Sequence, residues 1–344
     1  MTNISDVARA AGVSKSTVSR VLNNNPQVDA EMAERVRRAI DSLGYRPSQL
    51  AQALRTQQTR IWALLVADVR NAFYTEVVRG IEDLAYSAGY SVVLCNTDEK
   101  VDKEATYLEL ALAQRVAGIV LAPVRPNATH LSKVLASGTP IVTVNGRLDR
   151  YDVDRVLTNN AWGAEKAALH LLEGGYQRPA CITGPAETTT GAERLAGFLQ
   201  GMVAGGRHVD PELIRHGDYR EPSGLAEMSF LLGLPAPPDA VFVANNEMTL
   251  GALEAISQAG LVIPDDIAIV GFDDLPWASL LRPSLTTVAQ PTYDLGLETA
   301  RLLVSRIEGY TGRAREVILS PDLKIRASSS PRQGAIPWAS ATGT

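Results

Sequence analysis

The sequence is poor in the residue types that build disulfide scaffolds, metal centres and membrane spans. Its 344 residues include two cysteines and four histidines, and two cysteines are too few for a disulfide framework. No apolar run approaches the roughly 20 residues needed to cross a bilayer. The first twelve residues also lack the apolar stretch of a secretory signal. We therefore expect a soluble, cytoplasmic protein that needs no metal and no cofactor.

Signatures of catalysis are also missing from the sequence. None of the motifs GxSxG, P-loop or HExxH occurs, and the segment GPAETTTG (184–191) does not fit a phosphate cradle. No histidine lies beside a nucleophile signature or has metal-ligand spacing; the four are His130, His170, His208 and His216. We expect a protein that is not an enzyme. An enzyme on the same scaffold stays open as an alternative, which a turnover assay would test.

Charge of one sign is concentrated at the amino terminus. Residues 1–60 carry nine lysines and arginines against five aspartates and glutamates, a net charge of +4, whereas the whole chain has −5. The rest of the chain therefore carries −9. A small basic segment on an acidic body indicates an anionic partner for that segment alone.

The basic segment reads as three short helices. We predict a first helix from about Asp6 to Ala11 capped by Ser5, a second from Lys15 to about Asn23 capped by Ser14, and a third from a cap at Asp29 to Leu43. The predicted apolar face of the third helix consists of Met32, Val36, Ile40 and Leu43.

The second helix has two different faces at 100° per residue. Val18, Val21 and Leu22 form an apolar side, whereas Lys15, Ser16, Ser19, Arg20 and Asn23 form a polar, cationic side. Two short helices joined by a tight Gly-containing turn, with such an outward face, fit the helix-turn-helix motif, whose second helix enters the major groove. Base-edge contacts are expected from Lys15, Ser16 and Arg20, and phosphate contacts from Thr17, Ser19 and Asn23. The alternative is a solvated helical hairpin.

From Ile61 onward, apolar runs alternate with helix-length amphipathic runs. Strands that are apolar throughout, each followed by a helix, predict parallel sheets covered on both faces. The series is too long for one ordinary open sheet. The fold class is therefore α/β, with an all-α head and a core of two doubly wound parallel-sheet subdomains. A weak strand is expected near Val317, and the tail from Ser328 is expected to be disordered because of its composition.

The segments ISDVARAAGVSKSTVSRVLN (4–23) and VRRAIDSLGYRPSQLAQALR (36–55) closely resemble the head of the LacI/GalR family of bacterial transcription regulators. The resemblance continues through GLVIPDDIAIVGFDD and RPSLTTVAQP to about residue 327. It implies a DNA-binding domain at 1–46, a hinge helix at 47–60 and a core at 61–327 that resembles periplasmic sugar-binding proteins. Within the core it implies an N-subdomain of 61–160 plus 291–327 and a C-subdomain of 161–290.

The resemblance also implies contacts to operator DNA outside the second helix. The hinge leucine of the family, which wedges into a minor-groove base step, matches Leu54, and an apolar wedge of this kind kinks the duplex. Packing of Leu54 against the core is the alternative. Gln52 and Arg55 are expected beside the wedge, and Ser5 and Ser14 are expected near the DNA at the starts of the first two helices.

In the core, the resemblance implies a small-molecule site between the subdomains, at the carboxyl ends of the strands. The effector-binding residues expected there, most of them directly after an apolar strand, are Asn71, Phe73, Tyr74, Arg147, Arg194, Asn245, Asn246, Asp273 and Gln290. Structural roles remain open: Phe73 and Tyr74 as core, Asp273 and Asn245 as helix caps, and Arg194 as a surface ion-pair partner of Glu193 or Glu187.

A carbohydrate is the expected effector, with two departures from common members of the family. The family often has Asp where this chain has Asn246, so the effector is expected to differ from common pentoses or hexoses. The purine-responsive branch has an Arg where this chain has Thr188, which disfavours a purine. A nucleoside, purine or other metabolite stays the alternative.

One helix-turn-helix contacts only half of a pseudo-palindromic operator, so a homodimer is expected. Related proteins dimerise through the segment that matches 74–86 and through the segment after GIVLAP. The predicted mechanism is allosteric: the effector binds one closure state of the core better than the other and so changes DNA affinity. A sugar receptor without a DNA role is the other alternative.

Overall fold

The computed structural model describes residues 3–22, 25, 27–45, 59–127 and 129–331. Contacts between Cα atoms divide the chain into two compact units, 1–59 and 60–344. We call them the head and the body. The head has three described helices: α1 (Ile4–Ala11), α2 (Lys15–Leu22) and α3 (Ala30–Ser42). The predicted hinge residues Gln52, Leu54 and Arg55 lie outside the described residues, and so does Asn23.

The caps of the head helices differ from the prediction at one position. Asn3, not Ser5, caps α1: its side chain accepts hydrogen bonds from the backbone N–H groups of Ser5 and Asp6, while Asp6 accepts from the backbone of Asn3. This reciprocal pair is a capping box, and it starts the helix two residues earlier than predicted. Asp29 caps α3 as predicted.

A small apolar core holds the three helices together. Val7, Val18 and Val36 are fully buried in it, one from each helix, together with Val21 and four alanines at or below 9% exposure. The predicted apolar face of α3 was wrong in part: the buried residues are Ala33, Val36 and Ala39, whereas Leu43 is exposed. Alanines face the core there because short side chains let α3 lie close to α1 and α2.

The body is an α/β structure with the following elements in chain order: β1 (Ile61–Val66), α4 (Ala72–Ser87), β2 (Ser91–Asn96), α5 (Val101–Ala113), β3 (Gly118–Leu121), α6 (Ser132–Ala136), β4 (Ile141–Val144), β5 (Asp154–Thr158), α7 (Asn160–Glu173), β6 (Pro179–Thr183), α8 (Thr189–Ala204), β7 (Ile214–His216), α9 (Glu221–Leu232), β8 (Ala240–Val243), α10 (Asn246–Gln258), β9 (Ala268–Phe272), β10 (Thr286–Ala289), α11 (Thr292–Ile307), β11 (Glu316–Leu319) and β12 (Asp322–Lys324). Short 3₁₀ turns cover Thr129–Leu131, Pro211–Leu213, Pro276–Ser279 and Ala327–Ser329. The alternation of apolar strands and helices confirms the predicted fold class.

Two six-stranded sheets form the body within the described residues. The first has the order β2-β1-β3-β4-β5-β11 and is parallel throughout; the second has the order β7-β6-β8-β9-β10-β12, with β12 antiparallel to β10. In β1, Trp62, Leu64 and Val66 face one apolar cluster, and Ala63 and Leu65 face another. Burial on both faces is what a central parallel strand requires, and it explains the unbroken apolar run.

Glycine lets pairs of helices pack at backbone contact. A Cβ at Gly197 of α8 would lie 2.0 Å from the carbonyl oxygen of Ala161 in α7, and one at Gly296 of α11 would lie 2.1 Å from that of Val77 in α4. No side chain fits at these distances. The helix pairs α7–α8 and α4–α11 are therefore in direct backbone contact at these positions.

The end of the chain differs from the prediction in two ways. β12 pairs with β10 of the second sheet, so the segment after Leu319 returns to the second subdomain instead of staying in the first. Ser328 and Ser329, predicted to be disordered, are buried. The Ser328 hydroxyl donates to Ile269 O (2.7 Å) and accepts from Thr286 N (2.8 Å). Hydrogen bonding thus fixes a stretch whose composition is that of a flexible tail.

None of the described helices combines the length and the apolar character that a membrane crossing requires.

Candidate functional site

The polar face of α2 is the candidate DNA-contacting surface of the head. Lys15, Ser16 and Arg20 are exposed, while Thr17 and Ser19 are partly buried. The Ser14 hydroxyl accepts a hydrogen bond from Thr17 N (3.1 Å), so the predicted cap is present. Lys15 and Ser16 are therefore exposed at the amino-terminal end of α2, where backbone N–H groups favour an anion.

Lys15 and Arg20 form no ion pair with any other described residue, whereas two other arginines of the head do. Arg9 lies 3.7 Å from Asp6 and Arg37 lies 3.6 Å from Glu34. The two cations on α2 thus keep their charge available for an external anion. Ser5 is partly buried near the start of α1, next to the capping Asn3.

A polar cleft of about 690 Å³, including its open mouth, lies at the carboxyl ends of the strands in the body. The lining residues come from the ends of nine different strands of the two sheets and from the loops and helix starts that follow them. They are Ala67, Asn71, Phe73, Tyr74, Glu99, Ala122, Pro123, Val124, Pro126, Val144, Asn145, Gly146, Thr188, Thr189, Thr190, Arg194, Tyr219, Asn245, Asp273 and Gln290.

Seven of the nine predicted effector residues line this cleft. They are Asn71, Phe73, Tyr74, Arg194, Asn245, Asp273 and Gln290. Phe73 is also core, since it is 4% exposed and packs edge-on to Tyr74 at 4.9 Å between ring centroids. Burial raises the pKa of the Tyr74 phenol, so this ring presents a neutral hydroxyl.

Arg194 supplies the cation of the cleft. It is 3% exposed; its Nε donates to Asn160 Oδ1 (2.9 Å) and its Nη1 to Ala244 O (2.5 Å). The guanidinium stacks on the Phe272 ring, 3.8 Å from the centroid. Neither Glu193 nor Glu187 pairs with it, so the surface ion-pair alternative was wrong. Fixed on three sides, the guanidinium keeps Nη2 for a ligand.

Asp273 lines the same cleft as Arg194 and is held by two donors. Gln290 Nε2 donates to its Oδ1 (2.5 Å), and the first N–H of α10, from Asn246, donates to its Oδ2 (3.3 Å). Burial raises the pKa of Asp273, and the Arg194 charge opposes that rise. The result is a carboxyl group that is 8% exposed and preoriented as a hydrogen-bond acceptor.

Asn245 combines a structural and a lining role. Its Oδ1 accepts from Met248 N (3.0 Å) and caps α10, and its Nδ2 donates to Tyr219 O (3.0 Å). Asn246 does not line the cleft, in contrast to the prediction. Its side chain instead donates to Asn71 Oδ1 (3.0 Å) and so links the second subdomain to the first. Asn246 therefore lies behind the cleft surface and contacts two lining residues, Asn71 and Asp273.

Arg147 is also outside the cleft lining, unlike the prediction. Its guanidinium turns to Glu193 (3.3 Å) and to Glu316. The strand end that carries Arg147 does reach the cleft, but the two carboxylates of α8 and β11 draw the side chain away. Asn145, two residues earlier, takes the lining position.

Six polar lining residues were missed by sequence reasoning: Glu99, Asn145, Thr188, Thr189, Thr190 and Tyr219. The Tyr219 hydroxyl lies 2.7 Å from the Thr190 hydroxyl. Positive φ angles mark Glu99 (57°), Asn145 (60°), Tyr219 (65°) and Asp273 (78°), four of the six non-glycine residues with this conformation among the described residues. Such backbone concentrates at functional sites, but no single-residue sequence signal predicts it for Glu or Tyr.

Several hydrogen bonds and ion pairs bridge the two subdomains around the cleft. Arg125 lies 3.3 Å from Glu187 at its mouth, and Arg220 Nη2 donates to Asp98 O (3.2 Å). With the Asn246–Asn71 and Arg147–Glu193 contacts, they describe a closed arrangement.

Among the described residues there is no cluster of His, Cys, Asp and Glu side chains that could hold a metal ion.

Comparison with known proteins gives one match within the head and one within the body. Residues 3–48 match the model of the bacterial regulatory proteins of the lacI family, and residues 168–329 match a periplasmic binding protein-like domain. The chain is 36% identical to the ribose operon repressor of Escherichia coli (strain K12) over 330 residues, covering 96% of this chain and all of that protein.

Two solved structures are similar along nearly the whole chain. A complex of the transcriptional regulator CelR with cellobiose has a TM-score of 0.72 at 33% identity, covering 95% of this chain and all of that one. The lac repressor dimer bound to operator and the anti-inducer ONPF has a TM-score of 0.85 at 28% identity, covering 96% and 99%. With a helix-turn-helix head and a ligand-binding core, the chain belongs to the lacI family of bacterial regulatory proteins and is a DNA-binding transcriptional regulator.

Proposed function

We propose that this protein is a dimeric repressor that binds a pseudo-palindromic operator and releases or tightens its hold when a carbohydrate enters the cleft. The observation that carries the proposal is the exposed, unpaired cationic face of α2 in the same chain as a preoriented polar cleft. A periplasmic receptor needs only the second feature. A simple DNA-binding protein needs only the first.

In this proposal, α2 lies in the major groove and Lys15, Ser16 and Arg20 contact base edges. Arginine can donate two hydrogen bonds to guanine, which specifies a base pair, whereas Thr17, Ser19 and Asn23 position the helix on phosphates. Leu54, Gln52 and Arg55, which lie outside the described residues, are proposed as minor-groove contacts on the strength of the family resemblance.

Exposed apolar side chains of the body support a homodimer. Val93 (49% exposed) and Leu94 (45%) lie on β2, the edge strand of the first sheet, and Leu280 (72%) lies just after the Pro276–Ser279 turn in the second subdomain. An edge strand that carries consecutive exposed apolar residues invites pairing with another chain. A dimer places two heads on one duplex, as a pseudo-palindrome requires.

A carbohydrate fits the chemistry of the cleft. Amides of Asn71, Asn245 and Gln290 and the carboxyl of Asp273 match hydroxyl groups, and the rings of Phe73 and Tyr74 offer apolar faces. The related proteins named for ribose and solved with cellobiose support the same class. Closure around a sugar would strengthen the contacts that bridge the subdomains, and the effector shifts the equilibrium only by its differential affinity, typically about 1–3 kcal/mol.

A random-oligonucleotide selection with the purified chain tests the proposal. We expect enrichment of palindromic sequences, with binding that weakens steeply as salt rises because phosphate contacts release counterions. Arg20→Ala is the test variant and Arg37→Ala, which removes an arginine already paired with Glu34, is its control. No palindromic enrichment, in the presence or absence of sugars and nucleosides, would refute a regulatory role at an operator.

A further inference from the structure

Among the described residues, two side chains with a carboxyl group line the cleft, Glu99 and Asp273. Glu99 lies in the loop after β2, on the wall of the first subdomain, whereas Asp273 lies on the wall of the second. Asp98 and Glu99 both have positive φ, at 51° and 57°. Two successive non-glycine residues in this conformation are strained, and the strain directs Glu99 into the lining of the cleft.

The other carboxylates near the cleft are held by the protein, and Glu99 is not. Asp98 accepts from Asn96 Nδ2 (2.8 Å) and Lys103 Nζ (2.6 Å), and Asp273 accepts from Gln290 and from the start of α10. Glu99 accepts no hydrogen bond from any described residue. A partly buried carboxyl group without a partner is costly unless a ligand or water satisfies it.

The electrostatics of Glu99 agree with an unsatisfied group. Burial raises its pKa to about 7; the charge of Arg220 opposes the rise, while those of Asp218 and Asp68 add to it. Near neutral pH this carboxyl group therefore changes its ionisation with small changes of environment, as groups at binding sites often do.

We infer that Glu99 is a specificity-determining residue of the effector site, whose carboxylate accepts a hydrogen bond from a hydroxyl of an uncharged polyhydroxyl ligand. The inference rests on the proposed function and deepens it. It also states what the site rejects: phosphorylated and acidic sugars.

The positions and hydrogen bonds of the charged side chains in the lining explain why the site rejects anions. Glu99 and Asp273 approach from opposite walls, and the single buried guanidinium of the lining, that of Arg194, already donates to Asn160 and Ala244. An added phosphate would meet two carboxyl groups and one cation, the Arg194 guanidinium, of which Nη2 alone makes no hydrogen bond to a described residue. A buried unpaired charge is disfavoured far more than an uncharged hydroxyl.

The acceptor role has a pH signature. A ligand hydroxyl forms a stronger hydrogen bond to the carboxylate than to the protonated acid. Ligand binding therefore favours ionised Glu99, and the affinity for the ligand increases as pH rises through 7. With a pKa of about 7, roughly one molecule in eleven is ionised at pH 6 and ten in eleven at pH 8, which predicts about tenfold tighter binding at pH 8. The charged and titratable groups that face Glu99 are Arg220, Asp218, Asp68, Tyr74 and Tyr219.

Calorimetric titration of the full chain at pH 6 and pH 8 tests the inference. The probes are D-ribose, D-xylose, D-glucose and D-galactose, with ribose 5-phosphate and glucose 6-phosphate as anionic counterparts. The test variant is Glu99→Gln, which keeps size and shape; Glu308→Gln, which removes the same charge from an exposed site outside the cleft lining, is the matched control.

We expect at least one neutral sugar to bind, about tenfold more tightly at pH 8 than at pH 6, in the wild-type chain and in the control. In Glu99→Gln the pH ratio should fall to about one, and binding at pH 8 should weaken about fivefold to tenfold, since an amide is a poorer acceptor than a carboxylate. A ratio retained in Glu99→Gln, tighter binding of a phosphate ester, or binding of none of the neutral sugars would overturn the inference. Operator binding is measured on the same preparation, and its absence would instead count against the proposed function.

Discussion

Asp273→Asn is the substitution that separates effector binding from fold stability most cleanly. Asparagine has the same size, tolerates the positive φ of 78° at this position and keeps an oxygen for Gln290. What changes is the second oxygen, which accepts from Asn246 N at 3.3 Å, and the charge of the carboxyl group that is proposed to bind a ligand hydroxyl.

The expected effect follows from the contacts of that oxygen. A hydrogen bond to a charged acceptor contributes about 1.5–3 kcal/mol, which corresponds to a loss of roughly 10-fold to 150-fold in affinity for the effector. Stability should change less, because the lost contact with the start of α10 is offset by removal of a carboxylate whose pKa is raised by burial.

Titration calorimetry with the sugar that binds best measures the effect, and circular dichroism melting checks the fold. Asp265→Asn, the same chemical change at an exposed residue, is the control. Effector affinity within threefold of the wild type would show that Asp273 does not contact the ligand, and the orientation of the cleft described above would then be wrong.

Three further substitutions probe the other parts of the molecule. Arg20→Ala should weaken operator binding by about 1–3 kcal/mol in a fluorescence anisotropy titration while sugar affinity is retained; equal operator affinity would remove Arg20 from the interface. Leu94→Glu should shift the protein from dimer to monomer in sedimentation equilibrium, because it places a charge on the exposed edge of the first sheet; an unchanged dimer would move the interface elsewhere. Gly197→Ala should lower the free energy of unfolding by about 1–3 kcal/mol or more, since its Cβ would lie 2.0 Å from Ala161 O; a normal melting temperature would contradict the helix packing.

Much of the fold follows from apolar patterning, because strands buried on both faces leave unbroken runs such as that of β1. Strands β5, β7 and β12 lack such apolar runs. β5 begins with Asp154, whose carboxylate binds Arg306 (2.7 Å) and Arg315 (2.6 Å), and β7 and β12 have three residues each. Charged or very short strands are held by their neighbours in the sheet, and a local sequence window carries little of that information.

Only part of the cleft lining can likewise be predicted from the sequence. Residues that directly follow an apolar strand, such as Asn71 and Asn245, were predictable because parallel strands end at one edge of a sheet. Tyr219 follows a short, half-polar strand, and Glu99 reaches the cleft only through its positive φ. Arg147 follows a strand as expected but binds Glu193 and Glu316. The position of a side chain such as Arg147 depends on partners from distant segments, and those partners are known only once the chain is folded.

The central claim is that a ligand in the cleft of the body changes the affinity of the head for DNA. The most direct test is the equilibrium affinity of the full chain for a selected palindromic duplex, measured by fluorescence anisotropy with and without a saturating sugar shown by calorimetry to bind. We expect the affinity for the duplex to change about 5-fold to 150-fold, which corresponds to typical coupling free energies. Equal affinity in both conditions, with the sugar bound, would contradict it.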